Sequence, residues 1–323
     1  MNTENIIAVS IICNAYNHES YIEDTLESFV NQKTDFKYEV LIHDDASTDE
    51  TAKIIQKYEK KYPEIIKPIY QTENQYSQGV PIGKMFQYPR AKGKYIAICE
   101  GDDYWTDPLK LQKQYDVMEA HPEIDMCAHG TYRVDAETKE ILGTIEPSKK
   151  SRILTAEEVI FGEGGFLGTN SLLFRKELLY DISKFRQIFP YDYALQIQGA
   201  LRGGVYYIAE NMGAYRWLAK GSWTVTVCNN EEKNKVFLEK KMKMFDQLNI
   251  DTNGVYADVI EARRLFPEFL EKERNCQFKE LVSKKYKCVL KTLPFKRRLA
   301  IRVKARFTFI WHLRNWMKGR KNG

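Results

Sequence analysis

Four short apolar runs alternate with segments of helical periodicity in the first 100 residues. All four are rich in β-branched residues, which is typical of strands covered on both faces; they span residues 6–13, 38–43, 65–70 and 95–99. Between the first two runs, apolar residues recur at helical spacing, at Ile22, Leu26, Phe29 and Val30. This alternation predicts β-α units around a largely parallel sheet, in an α/β nucleotide-binding layout.

The pattern changes beyond residue 103. Asp107-Pro108 predicts the start of a helix, and short strands are predicted over residues 126–134 and 170–174. From about residue 231 onward only helical, charge-rich segments remain. We therefore expect an α/β domain over residues 1–229 and a helical region over residues 230–323.

Charge is distributed unevenly along the chain. The net charge is +5, but residues 281–323 hold 14 Lys or Arg and no acidic residue, so the rest carries a net charge of −9. In this basic end, apolar residues follow helical spacing, interrupted by Arg306, at Leu299, Val303, Phe307, Ile310, Leu313 and Met317. We expect residues 294–323 to bind an anionic membrane surface. Packing on the α/β domain is the alternative, and the lack of a recognition motif argues against a nucleic-acid partner.

The cysteines and the N-terminus bear on the compartment. The six cysteines have neither zinc nor redox spacing, which favours buried free thiols in a reducing environment. The first residues lack the basic and apolar segments of a signal peptide, and no uncharged apolar run reaches about 18 residues. We therefore expect a cytoplasmic protein, peripheral to the inner face of the cell membrane if its basic end binds lipid.

Polar clusters follow three of the predicted strands. They are Asn14-Ala15-Tyr16-Asn17, Asp44-Asp45-Ala46-Ser47 and Glu100-Gly101-Asp102-Asp103. In an open α/β sheet, ligands bind beyond the carboxyl ends of the strands, so these residues are the candidates for a site. Neither a Gly-rich dinucleotide fingerprint nor a phosphate-loop lysine follows the first strand, so those two nucleotide-binding classes fit poorly.

The third cluster brings three carboxylates, Glu100, Asp102 and Asp103, to one strand end. Such groups repel one another unless a cation or hydrogen-bond donors neutralise them. Mg²⁺ or Mn²⁺ held by one or two carboxylates completes its coordination with water and substrate phosphates, and stabilises charge on a departing diphosphate. An exposed acidic turn that caps the next helix is the alternative, although Asp107 is better placed for capping.

Asp44 and Asp45 precede a predicted helix, where Asp residues are ordinary N-terminal caps. Ser47 and Glu50, however, have the spacing of a capping box, which leaves the two aspartates free. We expect Asp45 to accept an N–H of a nucleobase, and the ring of Tyr16 to stack on that base.

Together these segments resemble family 2 glycosyltransferases of the GT-A fold. The matching motifs stand in the family's order and spacing, at residues 9–17, 44–49, 91–96 and 100–105. The resemblance is strong over residues 6–115, weaker to about residue 226, and absent from the C-terminal helices. It implies a GT-A catalytic domain and transfer of a sugar, with inversion, from a nucleotide-diphospho-sugar, best a UDP-sugar. The acceptor would be a saccharide or a lipid-linked molecule in surface polysaccharide assembly.

The resemblance also implies roles for individual residues. The donor would contact Asn14, Tyr16, Asp45, Lys84, Glu100 and Asp102. A metal ion would bind Asp102 and Asp103. Asp192 would take the proton from the acceptor hydroxyl, a contribution of roughly 10²–10⁴-fold in rate. Trp105 and Ser171 would face the acceptor, although Ser171 also fits a simple turn.

Four positions depart from the family's pattern. Glu100 replaces the first Asp of an Asp-x-Asp motif, and Tyr191 replaces the Glu of an acidic pair that includes Asp192. Trp217 stands where a His often follows Tyr215-Arg216, and Lys84 stands where many members have Arg. A helix N-cap is the alternative role for Asp192.

Two other functional classes place carboxylates beside a nucleotide or phosphate. A metal-dependent nucleotidyltransferase acting on a sugar phosphate would need a basic phosphate-binding loop near the N-terminus, which this sequence lacks. A phospho-acceptor receiver domain would need an Asp after the third strand, where Gln71-Thr72-Glu73 stands instead. We therefore favour the glycosyltransferase interpretation.

Overall fold

The computed structural model describes residues 6–219 and 230–307. The chain divides into two compact units, residues 1–240 and residues 241–323. The domain boundary expected after residue 229 lies at the edge of the undescribed residues and stays a prediction.

Within the described residues, ten strands form one mixed sheet in the first unit. They are β1 (Ile7–Ala15), β2 (Lys37–Asp44), β3 (Ile66–Tyr70), β4 (Tyr95–Ile98), β5 (Tyr104–Trp105), β6 (Met126–Asp135), β7 (Ile141–Ile145), β8 (Arg152–Leu154), β9 (Leu173–Arg175) and β10 (Val205–Trp217). The order is β3-β2-β1-β4-β9-β6-β10-β5, with β7 paired to β6 and β8 paired to β10. The first four strands are parallel, whereas β9 is antiparallel to both β4 and β6.

Helices cover this sheet and form the described part of the second unit. The first unit contains α1 (Ile22–Val30), α2 (Thr51–Lys61), α3 (Lys110–Ala120), α4 (Ala156–Gly162), α5 (Lys184–Ile188) and α6 (Asp192–Leu201). α7 (Glu231–Asp251) begins in the first unit and ends in the second. There follow α8 (Ala257–Arg274), α9 (Phe278–Leu281), α10 (Lys287–Thr292) and α11 (Phe295–Arg306).

β1, β2 and β4 are largely buried on both faces, as their continuous apolar runs predict, whereas the edge strand β3 is buried only at Ile66. Every residue of β2 after Lys37 is buried. Ile22, Leu26 and Phe29 of α1 are fully buried in the same core. The four strand predictions in this half are therefore confirmed, with ends that differ by at most two residues.

The second half of the sheet is less well predicted. β9 begins at Leu173 because residues Thr169–Ser171 form a 3-10 turn. The longest strand, β10, escapes prediction because polar side chains such as Glu210, Asn211 and Arg216 interrupt its apolar pattern. Its pairing with β6, and not its own sequence, fixes it as a strand.

The capping box predicted at Ser47 and Glu50 is wrong. Glu50 is the N-cap residue of α2, without a side-chain capping bond. The Ser47 hydroxyl oxygen accepts the backbone N–H of Asn17 at 3.0 Å, and Asp49 Oδ1 accepts the N–H of Thr51 at 2.9 Å. Ser47 therefore joins the loops that follow β1 and β2.

The described part of the second unit is helical, as predicted. Its core contains Phe269, Phe278, Leu281, Tyr286 and Val289, all buried. None of the helices within residues 6–219 and 230–307 is long and apolar enough to cross a bilayer. Three cysteines of the first unit, Cys13, Cys99 and Cys127, are buried free thiols, whereas Cys228 lies outside the described residues.

Candidate functional site

The loops after β1, β2 and β4 meet at one edge of the sheet. The backbone N–H of Gly101 donates to the carbonyl of Asn14 at 2.9 Å, and the N–H of Asp45 donates to the carbonyl of Ala15 at 2.9 Å. The parallel register of these strands thus continues into the polar loops. The three polar clusters predicted from the sequence are brought together, and the acidic cluster (Glu100, Asp102 and Asp103) lies among them.

Glu100 is held by Asn14. Its two carboxylate oxygens accept the backbone N–H of Asn14 at 3.3 Å and the side-chain amide at 3.5 Å. Burial raises the pKa of Glu100 to about 7, with the nearby charge of Asp102 adding to the rise and the Asn14 bonds opposing it. Glu100 is therefore a carboxyl group whose charge is only partly compensated by the protein.

Asp103 is buried, with 4% of its surface exposed. Its Oδ1 accepts the backbone N–H of Arg216, in β10, at 3.0 Å. Burial and the charge of Asp102 raise the pKa of Asp103, while Arg216 acts in the opposite direction. The carboxylate is thus fixed in position by a strand from the second half of the sheet.

Arg216 is a site residue to which the sequence interpretation gave no role. Its fully buried guanidinium donates to the Asp102 carbonyl at 2.7 Å and forms an ion pair with Asp24 of α1. It also lies over the rings of Tyr104, at 4.6 Å, and Tyr21, at 5.1 Å. One side chain therefore connects β10, α1 and the acidic cluster. In the sequence, the feature that indicates this role is an arginine within a largely apolar segment.

Asp102 is the carboxylate of the cluster best suited to a cation. It is partly exposed, and no hydrogen bond from the described residues reaches its side chain, although its carbonyl is bound by Arg216. Across residues 6–219 and 230–307, no group of three His, Cys, Asp or Glu side chains is arranged to hold a metal ion. One or two carboxylates suffice for Mg²⁺ when water and phosphate oxygens supply the other ligands. The residues therefore fit a cation bound together with a phosphate-bearing substrate.

Asp44 and Asp45 have different surroundings. Asp44 Oδ2 accepts the N–H of Ser47 at 3.3 Å, its Oδ1 is buried without a partner in the described chain, and burial raises its pKa. Asp45 accepts the backbone N–H groups of Gln75, at 2.8 Å, and Tyr76, at 3.0 Å. Asp45 therefore anchors the loop that follows β3, and its predicted contact with a nucleobase stays a prediction.

Tyr16 and Lys84 are exposed near these strand ends. Tyr16 has 44% of its surface exposed. Lys84 lies on a turn, residues Gly83–Gln87, that is anchored by Gln87. The buried Gln87 amide donates to the carbonyls of Cys13, at 3.0 Å, and Leu41, at 3.1 Å. The turn that carries Lys84 is thus attached to β1 and β2.

His18 is a second residue that the sequence interpretation did not select. Its Nδ1 is buried and has no hydrogen-bond partner among the described residues. A Cβ atom on Gly101 would come within 2.7 Å of that nitrogen, so any side chain at residue 101 would displace the His18 ring. Burial lowers the pKa of His18, against the effect of Asp102. A neutral imidazole therefore borders the acidic cluster. In the sequence, only the position of His18 two residues after Tyr16 indicates that it belongs to the site.

Asp192 is the first residue of α6, with Tyr191 as the N-cap. Its Oδ2 accepts the hydroxyl of Thr169 at 2.6 Å, and its Oδ1 accepts the N–H of Tyr193 at 2.7 Å. Burial raises the pKa of Asp192, and the two hydrogen bonds oppose that rise. Asp192 is also one of the charges that raise the pKa of Glu100. Asp192 and the acidic cluster are thus close enough to interact, although they are distant in sequence.

Trp105 and Ser171, the residues predicted to face the acceptor, are both buried. Trp105 is 4% exposed, packs at 4.8 Å from the ring of Phe29, and donates its Nε1–H to the Asn170 carbonyl at 2.8 Å. Ser171 is fully buried, and its hydroxyl donates to the Gly168 carbonyl at 2.6 Å. Core packing and internal hydrogen bonds occupy both side chains, and their predicted acceptor roles stay predictions.

The sequence profile of "Glycosyl transferase family 2" matches residues 10–182. The chain belongs to this family. An uncharacterized protein of Mycobacterium tuberculosis is 38% identical over 215 residues, which are 67% of this chain and 60% of that protein. TuaG of Bacillus subtilis, named for teichuronic acid biosynthesis, is 40% identical over 110 residues, 34% of this chain and 41% of TuaG.

Solved structures identify the fold. Residues 1–349 of Staphylococcus aureus TarS, in complex with UDP, superpose with a TM-score of 0.58 at 17% identity, over 90% of this chain and 77% of that one. The family 2 chain therefore has the GT-A glycosyltransferase fold, as the resemblance implied. It spans about 60% of the length of its mycobacterial relative.

Proposed function

We propose that this family 2 chain is a glycosyltransferase that moves a sugar from a UDP-sugar to a hydroxyl group, with inversion at the anomeric carbon. The observation that carries the proposal is the proximity of Asp192, a carboxylate with a raised pKa, to the acidic cluster. Family membership favours this activity over nucleotidyl transfer to a sugar phosphate.

The two groups would act on opposite sides of the reacting carbon. The acceptor oxygen attacks the anomeric carbon while the bond from that carbon to the diphosphate breaks. The bonding electrons leave with the diphosphate, and the hydroxyl proton passes to Asp192. A general base works best with a pKa near the operating pH, so the burial that raises the Asp192 pKa suits this role.

A divalent cation, Mn²⁺ or Mg²⁺, belongs to the proposal. Asp102, partly exposed, and Asp103, held by the Arg216 N–H, would bind it. When bound, such an ion stabilises negative charge on a leaving diphosphate. Asn14 and Arg216 hold the acidic cluster in place whether or not the ion is present.

The donor and acceptor are proposed from different observations. Asn14, Glu100 and Asp102 would lie near the donor diphosphate, with Tyr16 and Lys84 exposed beside them. The likeness to TarS, which was solved with UDP, supports a uridine nucleotide. The likeness to TuaG supports a saccharide or lipid-linked acceptor in surface polysaccharide assembly.

We also propose that residues 294–323 attach the enzyme to an anionic membrane at the inner face of the cell membrane. Leu299 and Val303 on α11, and Phe307 directly after it, are exposed, as an interfacial helix requires. Ile310, Leu313 and Met317, which continue the predicted apolar stripe, lie outside the described residues.

Release of the free nucleotide tests the donor assignment. We expect UDP to be released from one or more UDP-sugars in a panel of UDP- and GDP-sugars supplied with Mn²⁺. Asp103→Asn should weaken metal-dependent binding of UDP by roughly 10–100-fold, measured by calorimetry, because a carboxylate that faces the metal is lost. Asp116→Asn, an exposed change on α3, is the matched control. Equal UDP affinity in Asp103→Asn and the parent would contradict the metal assignment.

A further inference from the structure

A cavity of about 340 Å³ lies in the C-terminal unit. It is formed between the turn at residues 284–286, α10 and α11. Five basic side chains and no acidic one line it: Lys284, Lys287, Lys291, Arg298 and Arg302. Its volume falls within the range of small-molecule sites in proteins, so it can hold a compact anion.

The charge in this basic cavity is poorly compensated. Of its five cations, Lys291 pairs with Asp258 at 2.9 Å, whereas the other four make no ion pair within the part of the chain that the structure describes. No acidic residue occurs between residue 281 and the end of the sequence. Grouped cations of this kind repel one another until an anion neutralises them.

Two neighbouring basic residues outside the cavity lining are paired. Lys285 binds Glu268 at 2.7 Å, and Arg297 binds Glu273 at 2.6 Å. These two cations are thus neutralised within the C-terminal unit, whereas four of the five cations that line the cavity make no ion pair among the described residues. Guanidinium groups beside ammonium groups match the oxygens of a phosphate.

An exposed apolar stripe borders the cavity along α11. Phe295, Leu299, Val303 and Phe307 stand four residues apart, and each has between 49% and 67% of its surface exposed. Arg298 and Arg302 each precede a stripe residue by one position, which is about 100° around the helix. The helix thus presents apolar side chains beside the arginines of the cavity, the arrangement of a helix that lies in a membrane interface.

We propose that the basic cavity binds the phosphate of an anionic phospholipid headgroup while the apolar stripe of α11 enters the boundary between headgroups and acyl chains. This inference rests on the membrane attachment proposed above and adds Lys284, Lys287 and Lys291, which precede residue 294. It does not depend on glycosyl transfer. A soluble phosphate polymer would fill the cavity but leave the apolar stripe in water, so the stripe favours the lipid.

Sedimentation of the full chain with vesicles tests this proposal. We expect binding to vesicles that contain phosphatidylglycerol and none to phosphatidylcholine alone. Each basic group at an anionic surface contributes about fivefold in affinity, so the double substitution Arg298→Gln/Arg302→Gln should weaken binding by about 25-fold. Lys243→Gln/Lys279→Gln removes the same charge from exposed positions outside the cavity and should weaken it far less.

A third double variant, Leu299→Ser/Val303→Ser, tests the apolar stripe. It should lose vesicle binding while its thermal melting temperature stays that of the parent, because both side chains are exposed. Equal losses in the cavity and control variants would overturn the cavity as the binding site and leave membrane attachment standing. Absence of vesicle binding by the parent would overturn both, without bearing on UDP release, which is measured without vesicles.

Soluble poly(glycerol phosphate) is the competing ligand. Binding of this polymer as tight as vesicle binding, unaffected by Leu299→Ser/Val303→Ser, would overturn the lipid assignment in favour of a phosphate polymer. Polymer binding much weaker than vesicle binding, in the same buffer and salt, would support the lipid.

Discussion

Around the acidic cluster, backbone hydrogen bonds join the loops after β1, β2 and β4, and Arg216 binds both the carbonyl of Asp102 and the carboxylate of Asp103. Asp192, by contrast, stands in the first turn of a short helix and receives two local hydrogen bonds, from Thr169 and Tyr193. The cluster is therefore held by contacts between distant parts of the sheet. The pKa of Asp192 is raised by burial and lowered by two nearby hydrogen-bond donors.

This difference separates two kinds of substitution. Changes in the support of the acidic cluster should reduce folding stability together with donor binding, because the same contacts serve both. Changes at Asp192 should alter the chemical step and leave donor binding intact, because Asp192 and the acidic cluster are attached to different elements.

The largest effect is expected at Asp192. Asp192→Asn removes the base but keeps the shape, so kcat should fall by roughly 10²–10⁴-fold while UDP affinity stays that of the parent. Steady-state kinetics and calorimetry measure the two quantities. Asp181→Asn, an exposed change near α5, is the control. A parallel loss of UDP affinity would show that Asp192 supports the donor site.

A change at Arg216 should affect the fold as well as the site. Arg216→Met removes the hydrogen bond to the Asp102 carbonyl and the ion pair with Asp24, which is 34% exposed and keeps its ion pair with Lys139 at 2.7 Å. The free energy of unfolding should therefore fall by about 1.5–3 kcal/mol. Denaturant unfolding measures this free energy. The control Arg202→Met breaks the ion pair between Asp125 and Arg202, whose side chain is 50% exposed. It should lower the free energy of unfolding by no more than about 1 kcal/mol. Equal costs for the two variants would refute a special structural role for Arg216.

The smallest effect is expected at Thr169. Thr169→Val removes a hydrogen bond that favours the charged form of Asp192, so the pKa of Asp192 should rise. A hydrogen bond to a charged group is worth about 1.5–3 kcal/mol, and one pKa unit is about 1.4 kcal/mol.

The base is active when deprotonated, so the acidic limb of the kcat profile should move to higher pH by about one to two units. Thr144→Val, at an exposed position of β7, should leave the limb in place. An unchanged profile in Thr169→Val would show that Asp192 does not set this limb.

Prediction from sequence succeeded where one local signal sufficed. The apolar runs of β1 to β4 are strands, of which β1, β2 and β4 are largely buried on both faces. The polar clusters after β1, β2 and β4 follow directly from their ends. The prediction failed at Ser47, where a spacing typical of a capping box yields a bond to Asn17 in another loop. At Trp105 and Ser171 the sequence pattern did not indicate burial, because a residue type near a motif does not reveal how deeply its side chain is buried.

The sequence alone determined the parallel half of the sheet, the acidic cluster and the uneven charge of the chain. These features depend on the order of residues within short segments. Tertiary structure decided the support of Asp103 by Arg216, the anchoring of a loop by Asp45, and the grouping of five cations around one cavity. Each of these arises from side chains on separate elements, whose relative positions follow from packing and sheet register and not from any local pattern.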